Sequence, residues 1–89
     1  MSAKEFSIGG KVQGVFFRRR AKEKADELGL TGFVENREDG SVFIFAEGME
    51  DALQELEQWC HHGPPGANVE SVIVKNAEEL GKQSFEIQR

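Results

Sequence analysis

Asp39-Gly40 stands between two alternating runs, Thr31–Arg37 and Ser41–Glu47, and no other feature of this 89-residue chain narrows its fold so far. An acid–glycine step between two strand patterns is the strongest short-range hairpin signal, because glycine supplies the backbone conformation that a tight reversal needs. Alternation puts Gly32, Val34 and Asn36 on one face of the first run and Phe33, Glu35 and Arg37 on the other. In the second run Val42, Ile44 and Ala46 oppose Phe43 and Phe45. An antiparallel pair at the centre of the chain must bury one of these faces against other elements.

The flanks supply those elements. Phe6, Ile8, Gly10 and Val12 alternate with Ser7, Gly9 and Lys11, the pattern of a half-buried strand. From Phe17, apolar residues recur at Ala21, Ala25 and Leu28, which is helical spacing, and Gly29 sits where a helix C-terminus is expected. After the hairpin, Met49, Leu53, Leu56, Trp59 and Cys60 mark one stripe of a second helix, ended by Gly63-Pro64-Pro65-Gly66. Val69–Lys75 alternates again, and Ser84–Gln88 forms a short last strand. The order β-α-β-β-α-β plus a short C-terminal strand predicts an α+β, ferredoxin-like split βαβ sandwich. In it an antiparallel sheet carries two helices on one face. With no internal repeat or linker, residues 1–89 read as a single domain.

Composition excludes several classes. Sixteen acidic against eleven basic side chains leave a net charge of −5, which argues against a general nucleic-acid binder. No apolar run approaches the roughly 18 residues of a membrane helix, and no apolar segment follows Met1-Ser2-Ala3-Lys4-Glu5 as in a secretory signal. Cys60 is the only cysteine, so an internal disulfide and a paired-thiolate zinc site are both ruled out, which fits a reducing cytoplasm. Cys60-His61-His62 points three ways from a helix end, so helix capping is expected there rather than a metal site. No heptad seam is present, and a monomer is the expectation.

The stretch richest in chemistry is Gly10-Lys11-Val12-Gln13-Gly14-Val15-Phe16-Phe17-Arg18, between the first strand and the first helix. Backbone N–H groups at a helix N-terminus are unpaired and partly positive, so they suit a bound phosphate. Gly14 lets successive N–H groups turn into one concavity, and Arg18 adds a charged fork that matches phosphate oxygens. A plain loop followed by a solvated arginine fits the same spacing, which leaves both readings open. Gly9 and Gly14 have Walker-loop spacing, but Val15-Phe16 stands where Lys-Ser/Thr is required, and no dinucleotide fingerprint occurs. Asn36 shares a face with Val34 and is expected to point toward the helices as a buried amide. It either ties the sheet edge and the following turn or holds a water or ligand oxygen beside the loop. Arg19 and Arg20 rotate away from Arg18 by about 100° per residue, so they read as helix surface charge.

Val12-Gln13-Gly14-Val15-Phe16-Phe17-Arg18, followed by Leu28-Gly29-Leu30-Thr31-Gly32-Phe33-Val34-Glu35-Asn36 and Asp39-Gly40-Ser41-Val42, resembles the acylphosphatase family. Gly63-Pro64-Pro65-Gly66-Ala67 with Val69, and the closing Phe85-Glu86-Ile87, are similar to that family's later landmarks. The resemblance implies a hydrolase that cleaves acyl phosphates to a carboxylate and inorganic phosphate, with phosphate acting as a competitive inhibitor. It implies that the backbone of Gln13, Gly14, Val15, Phe16, Phe17 and Arg18 wraps the phosphate. It also implies that the Arg18 side chain binds that phosphate, and that Asn36 orients the attacking water. No metal, cofactor, nucleic acid or membrane is expected. Phe33 stands where the family often has Trp, and the residue between Ile87 and Arg89 leaves the last strand's register open.

Two rivals share the fold. A non-catalytic module that senses acyl phosphates would keep the loop without the turnover. An RNA-binding module would stack bases on Phe43 and Phe45 with Phe6 as partner, yet it lacks the flanking basic residues and the glycine between aromatics. Cover over those rings by the C-terminal strand or by flanking side chains would also oppose it.

Overall fold

The computed structural model describes residues 1–88. Its elements follow the expected order: β1 (Ser2–Lys11), α1 (Phe17–Glu27), β2 (Thr31–Asn36), β3 (Val42–Gly48), α2 (Glu50–His62), β4 (Asn68–Ala77) and β5 (Phe85–Gln88). The sheet runs β4-β1-β3-β2-β5. Its first four strands are antiparallel, as expected of a split βαβ unit. β5 instead joins β2 in parallel, from Gly32 opposite Phe85 to Glu35 opposite Gln88, which makes the whole sheet mixed. This pairing sets the register of the last strand through Gln88; Arg89, on which the spacing question turned, lies outside the described residues.

Alternation has done the sorting. Phe6 and Ile8 of β1, Val34 of β2, and Val42 and Ile44 of β3 are fully buried on one face. Leu53, Leu56 and Cys60 of α2 and Phe17, Ala21 and Ala25 of α1 meet them from above, and Phe85 of β5 completes the core. Phe17 also packs edge-on against Trp59, with ring centroids 5.2 Å apart, which locks the start of α1 to α2. Burial pushes the Cys60 thiol pKa up, with the Glu57 charge adding to the shift, so this cysteine behaves as a small apolar residue. His61 and His62 are exposed and share no face with it.

Two local expectations change. Met49 is the N-cap of α2 and is exposed, so the buried stripe starts at Leu53. The hairpin closes through three residues, Glu38, Asp39 and Gly40, with Gly40 N–H donating to Arg37 O and Arg37 N–H to Ser41 O. Gly40 alone in that loop has positive φ, so the reversal is an ordinary turn followed by a left-handed glycine rather than a primed two-residue turn. Asp39 Oδ1 accepts from both Ser41 N–H and Ser41 Oγ–H, which holds the loop shut. α1 ends as its sequence suggests: Leu30 N–H reaches back to Ala25 O and Gly29 N–H to Asp26 O, a Schellman ending.

The sheet's other face carries Phe33, Phe43 and Phe45. Phe33 stacks on Phe45 at 5.7 Å, the Arg37 guanidinium lies 4.0 Å over Phe43, and the Lys82 ammonium lies 5.7 Å over Phe33. Cover thus comes from Arg37 and the 78–84 connection; the C-terminal strand sits at the sheet's edge, beside β2. Glu47, on this same face, is buried and anchors that connection by accepting N–H bonds from Leu80, Gly81 and Lys82.

Candidate active site

The loop between β1 and α1 is pinned at both ends by core residues, Val12 before it and Phe17 after it. Between them the backbone alternates: Gly14 has φ +76°, Val15 does not share the positive sign, and Phe16 has φ +62° and ψ +24°. Backbone that alternates between the right- and left-handed regions is the pattern from which anion-binding nests are built. From Gln13 to Arg19 no backbone N–H donates to a described acceptor; the first to do so is Arg20, to Phe16 O at 3.0 Å. No acidic side chain lies in the first turn of α1, so the helix dipole there is unopposed.

A left-handed conformation costs about 1–2 kcal/mol per non-glycine residue. At position 14 a Cβ would meet no atom within 4 Å, so only the backbone angle selects glycine. Gly14→Ala is therefore expected to lower unfolding free energy by about 1 kcal/mol, and Gly14→Asn by less, because asparagine tolerates this conformation. Denaturant midpoints for the two variants check this, and equal losses would contradict it.

The Gln13 side chain adds something its sequence position does not announce. Its Nε2 donates to Arg37 O at 2.8 Å and to Ser41 O at 2.9 Å, tying the loop to the mouth of the hairpin that follows Asn36. The family resemblance gives Gln13 only a backbone role. Nothing in local spacing links it to carbonyls 24 and 28 positions away.

Arg18 sits in the first turn of α1, half-buried, with Nη1 donating to Gln88 O at 3.3 Å. It pairs with no described carboxylate, whereas Arg19 and Arg20 both pair with Glu23, at 3.7 and 3.3 Å. Arg19 and Arg20 thus carry helix-surface ion pairs, as expected of them. Asn36, at the end of β2, is exposed, contrary to the expectation of a buried amide: the strand outruns the helices that cover Val34. It does face the helix side of the sheet, where it lines one cleft of about 440 Å³ together with Gly14, Phe16, Arg18 and Ile87. Its side chain bonds to no other described residue, which leaves the carboxamide available to a ligand or water. Ile87, brought in by β5, was absent from the sequence-level candidates because nothing in the sequence says which strand the last one joins. No cluster of three or more His, Cys, Asp or Glu side chains suited to a metal ion occurs among the described residues.

Loop amides and a carboxamide without a described partner, beside a guanidinium that faces no described carboxylate, suit a small tetrahedral anion, and the scaffold beneath them is a ferredoxin-like α+β sandwich. Comparison with known proteins then narrows the class. The acylphosphatase family model matches residues 4–87. The acylphosphatase of Alkalilimnicola ehrlichii is 44% identical over 85 residues, 96% of each chain, and that of Trichormus variabilis is 45% identical over 82 residues, 92% of this chain and 81% of the relative. The crystal structure of acylphosphatase from Bacillus subtilis superposes with a TM-score of 0.96 at 38% identity over the full length of both chains. An acylphosphatase structure from Coxiella burnetii gives 0.95 at 37% identity, covering 98% of this chain and 92% of that one. The chain belongs to the acylphosphatase family and is a hydrolase of that kind. No helix is long and apolar enough to cross a membrane among the described residues.

Proposed function

We propose that the chain cleaves the carboxyl–phosphate bond of acyl phosphates through the cleft beside Arg18. The observation that carries this reading is that Gly14, Phe16, Phe17, Arg18 and Asn36 line that one cleft, while the N–H groups of their loop have no acceptor among the described residues. The N–H groups of Gln13, Gly14, Val15, Phe16, Phe17 and Arg18 surround the phosphoryl oxygens, and the Arg18 guanidinium neutralises the charge that spreads over them in the transition state. Asn36 holds a water in line with the scissile bond. The water oxygen attacks phosphorus while the bond from phosphorus to the carboxyl oxygen breaks, and the carboxylate leaves with the bonding pair. The proton lost by the water passes to a phosphoryl oxygen of the substrate itself. Because a carboxylate of pKa near 4 is a good leaving group at neutral pH, the reaction needs neither a general acid nor a metal or cofactor.

Residues 1–89 act in this reading as one acylphosphatase domain, a monomer in the cytoplasm that engages neither nucleic acid nor membrane. The acidic balance of the chain and the ring-on-ring stacking of Phe33 and Phe45 under Lys82 support the exclusion of nucleic acid. Steady-state release of phosphate from benzoyl phosphate tests the activity. Turnover well above spontaneous hydrolysis, competitively inhibited by inorganic phosphate and lost in Asn36→Ala, is the expected result. Ligand protection without turnover would overturn it in favour of a sensing module.

A further inference from the structure

Asn36 reaches the cleft from a thinly braced place. It is the last residue of β2, it is exposed together with Arg37, Glu38 and Asp39 after it, and its carboxamide bonds to no described residue. The position of that group is therefore inherited from the backbone at residues 36 and 37. Strand ends beside exposed turns open most easily, and a misplacement of about 1 Å at a reacting centre can cost about 10²-fold in rate. The Arg37 side chain braces the strand end within the sheet, through Glu35 at 3.2 Å and the Phe43 ring at 4.0 Å. The brace toward the phosphate loop is Gln13.

Gln13 Nε2 donates to Arg37 O at 2.8 Å and to Ser41 O at 2.9 Å. The same two carbonyls already close the hairpin, since Arg37 O accepts from Gly40 N–H and Ser41 O from Arg37 N–H. A carbonyl oxygen has two lone pairs, so each takes both donors, and an NH2 group brings two hydrogens to two acceptors at once. Both hydrogens of the Gln13 amide are thereby engaged within the fold. Among the described residues no other hydrogen bond joins residues 12–18 to residues 36–42.

We propose that the Gln13 side chain is a positioning residue for the hydrolysis. By clamping the hairpin mouth to the loop, it holds the Asn36 carboxamide, and with it the attacking water, at a fixed distance from the bound phosphate. This rests on the hydrolytic reading above and deepens it, because that reading uses only the Gln13 backbone N–H. The clamp touches neither phosphate nor water. Its loss leaves the anion's own donors, the loop amides and Arg18, in place and displaces the water, so the effect falls on kcat while phosphate affinity holds.

The test is Gln13→Met in the full chain, which keeps the length of the side chain, adds no charge and removes both hydrogens. The kcat for benzoyl phosphate is expected to fall about tenfold, with the competitive inhibition constant of inorganic phosphate within about threefold of wild type. A tie that served stability alone would lower Tm and leave kcat unchanged below the melting range. Gln13→Asn keeps the NH2 on a side chain one methylene shorter and is expected to show the same split; it carries the test should Gln13→Met not fold. A fall in kcat under about threefold overturns the proposal. So does a larger rise in the phosphate inhibition constant, since the tie would then shape the anion loop itself. A wild-type chain that released no phosphate from benzoyl phosphate would overturn the hydrolase reading and the positioning role with it.

Discussion

Arg18→Ala is expected to lower kcat/KM for benzoyl phosphate by 10²–10³-fold, the loss of about 3–4 kcal/mol typical when one preorganised donor to a developing oxyanion is removed. The size follows from the side chain's surroundings. Its guanidinium is half-buried beside unpaired amides, pairs with no described carboxylate, and is steadied by the Gln88 carbonyl. Its charge is therefore unspent in the fold, and stability should change by less than about 0.5 kcal/mol, as for surface substitutions away from structural networks. Arg18→Lys restores charge without the planar fork and should recover only part of the rate. Single-turnover rates beside equilibrium denaturation separate the two effects. Near-normal turnover in Arg18→Ala would remove the residue from the site.

The second large effect concerns stability, and it sits on the opposite face of the sheet. Glu47 is 3% exposed and accepts N–H bonds from Leu80 at 2.9 Å, Gly81 at 3.0 Å and Lys82 at 2.8 Å. Burial by itself raises the carboxyl's pKa, but the three amides and the Lys82 charge outweigh it and hold the group below its ordinary value of 4.5. A folded-state pKa below the unfolded one means stability that is fully present above about pH 4.5 and is lost as pH falls through the folded value. Glu47→Ala strips the 78–84 connection of its anchor and is expected to cost about 3 kcal/mol at neutral pH, since hydrogen bonds to charged groups contribute about 1.5–3 kcal/mol and are not additive. For a domain this small that corresponds to a fall in Tm of roughly 15 °C. The variant should also lose part of the wild-type decline in stability as pH falls below about 4.5. A loss under about 1 kcal/mol, or an unchanged acid limb, would contradict the assignment.

Much of this molecule is written in short-range pattern. Alternation along residues 6–8, 31–36 and 42–46 and the spacing of Phe17, Ala21 and Ala25 are local consequences of strand and helix periods and hold in the fold, whereas a bulge between Gly9 and Gly10 breaks the alternation expected through Val12. The loop that bears the site is legible for the same reason, since Gly14 and Arg18 announce themselves within six residues. What escaped depends on pairings between distant segments. Whether the last strand runs parallel to β2 is decided by which edge has room, and Ile87 reaches the cleft only because of that choice. Gln13's bonds to the hairpin and Glu47's to residues 80–82 link positions 24 to 35 apart, which no period encodes. Asp39-Gly40 signals a reversal but not the number of residues that make it, so the three-residue loop needed the paired strands themselves. Asn36's exposure depends on where the helices stop.

Arg18 and Gln88 stand 70 positions apart and touch across the α1–β5 seam. Bringing such distant stretches together carries a closure penalty that grows with separation, and contacts of this kind form slowly. Refolding after dilution from denaturant thus has a natural clock: fluorescence from Trp59 follows burial of the helices, while regained turnover dates the moment the β5 edge docks. A lag of turnover behind fluorescence would mark chains whose helices are buried while the β5 edge is still undocked, whereas coincident recovery would mark a single cooperative step.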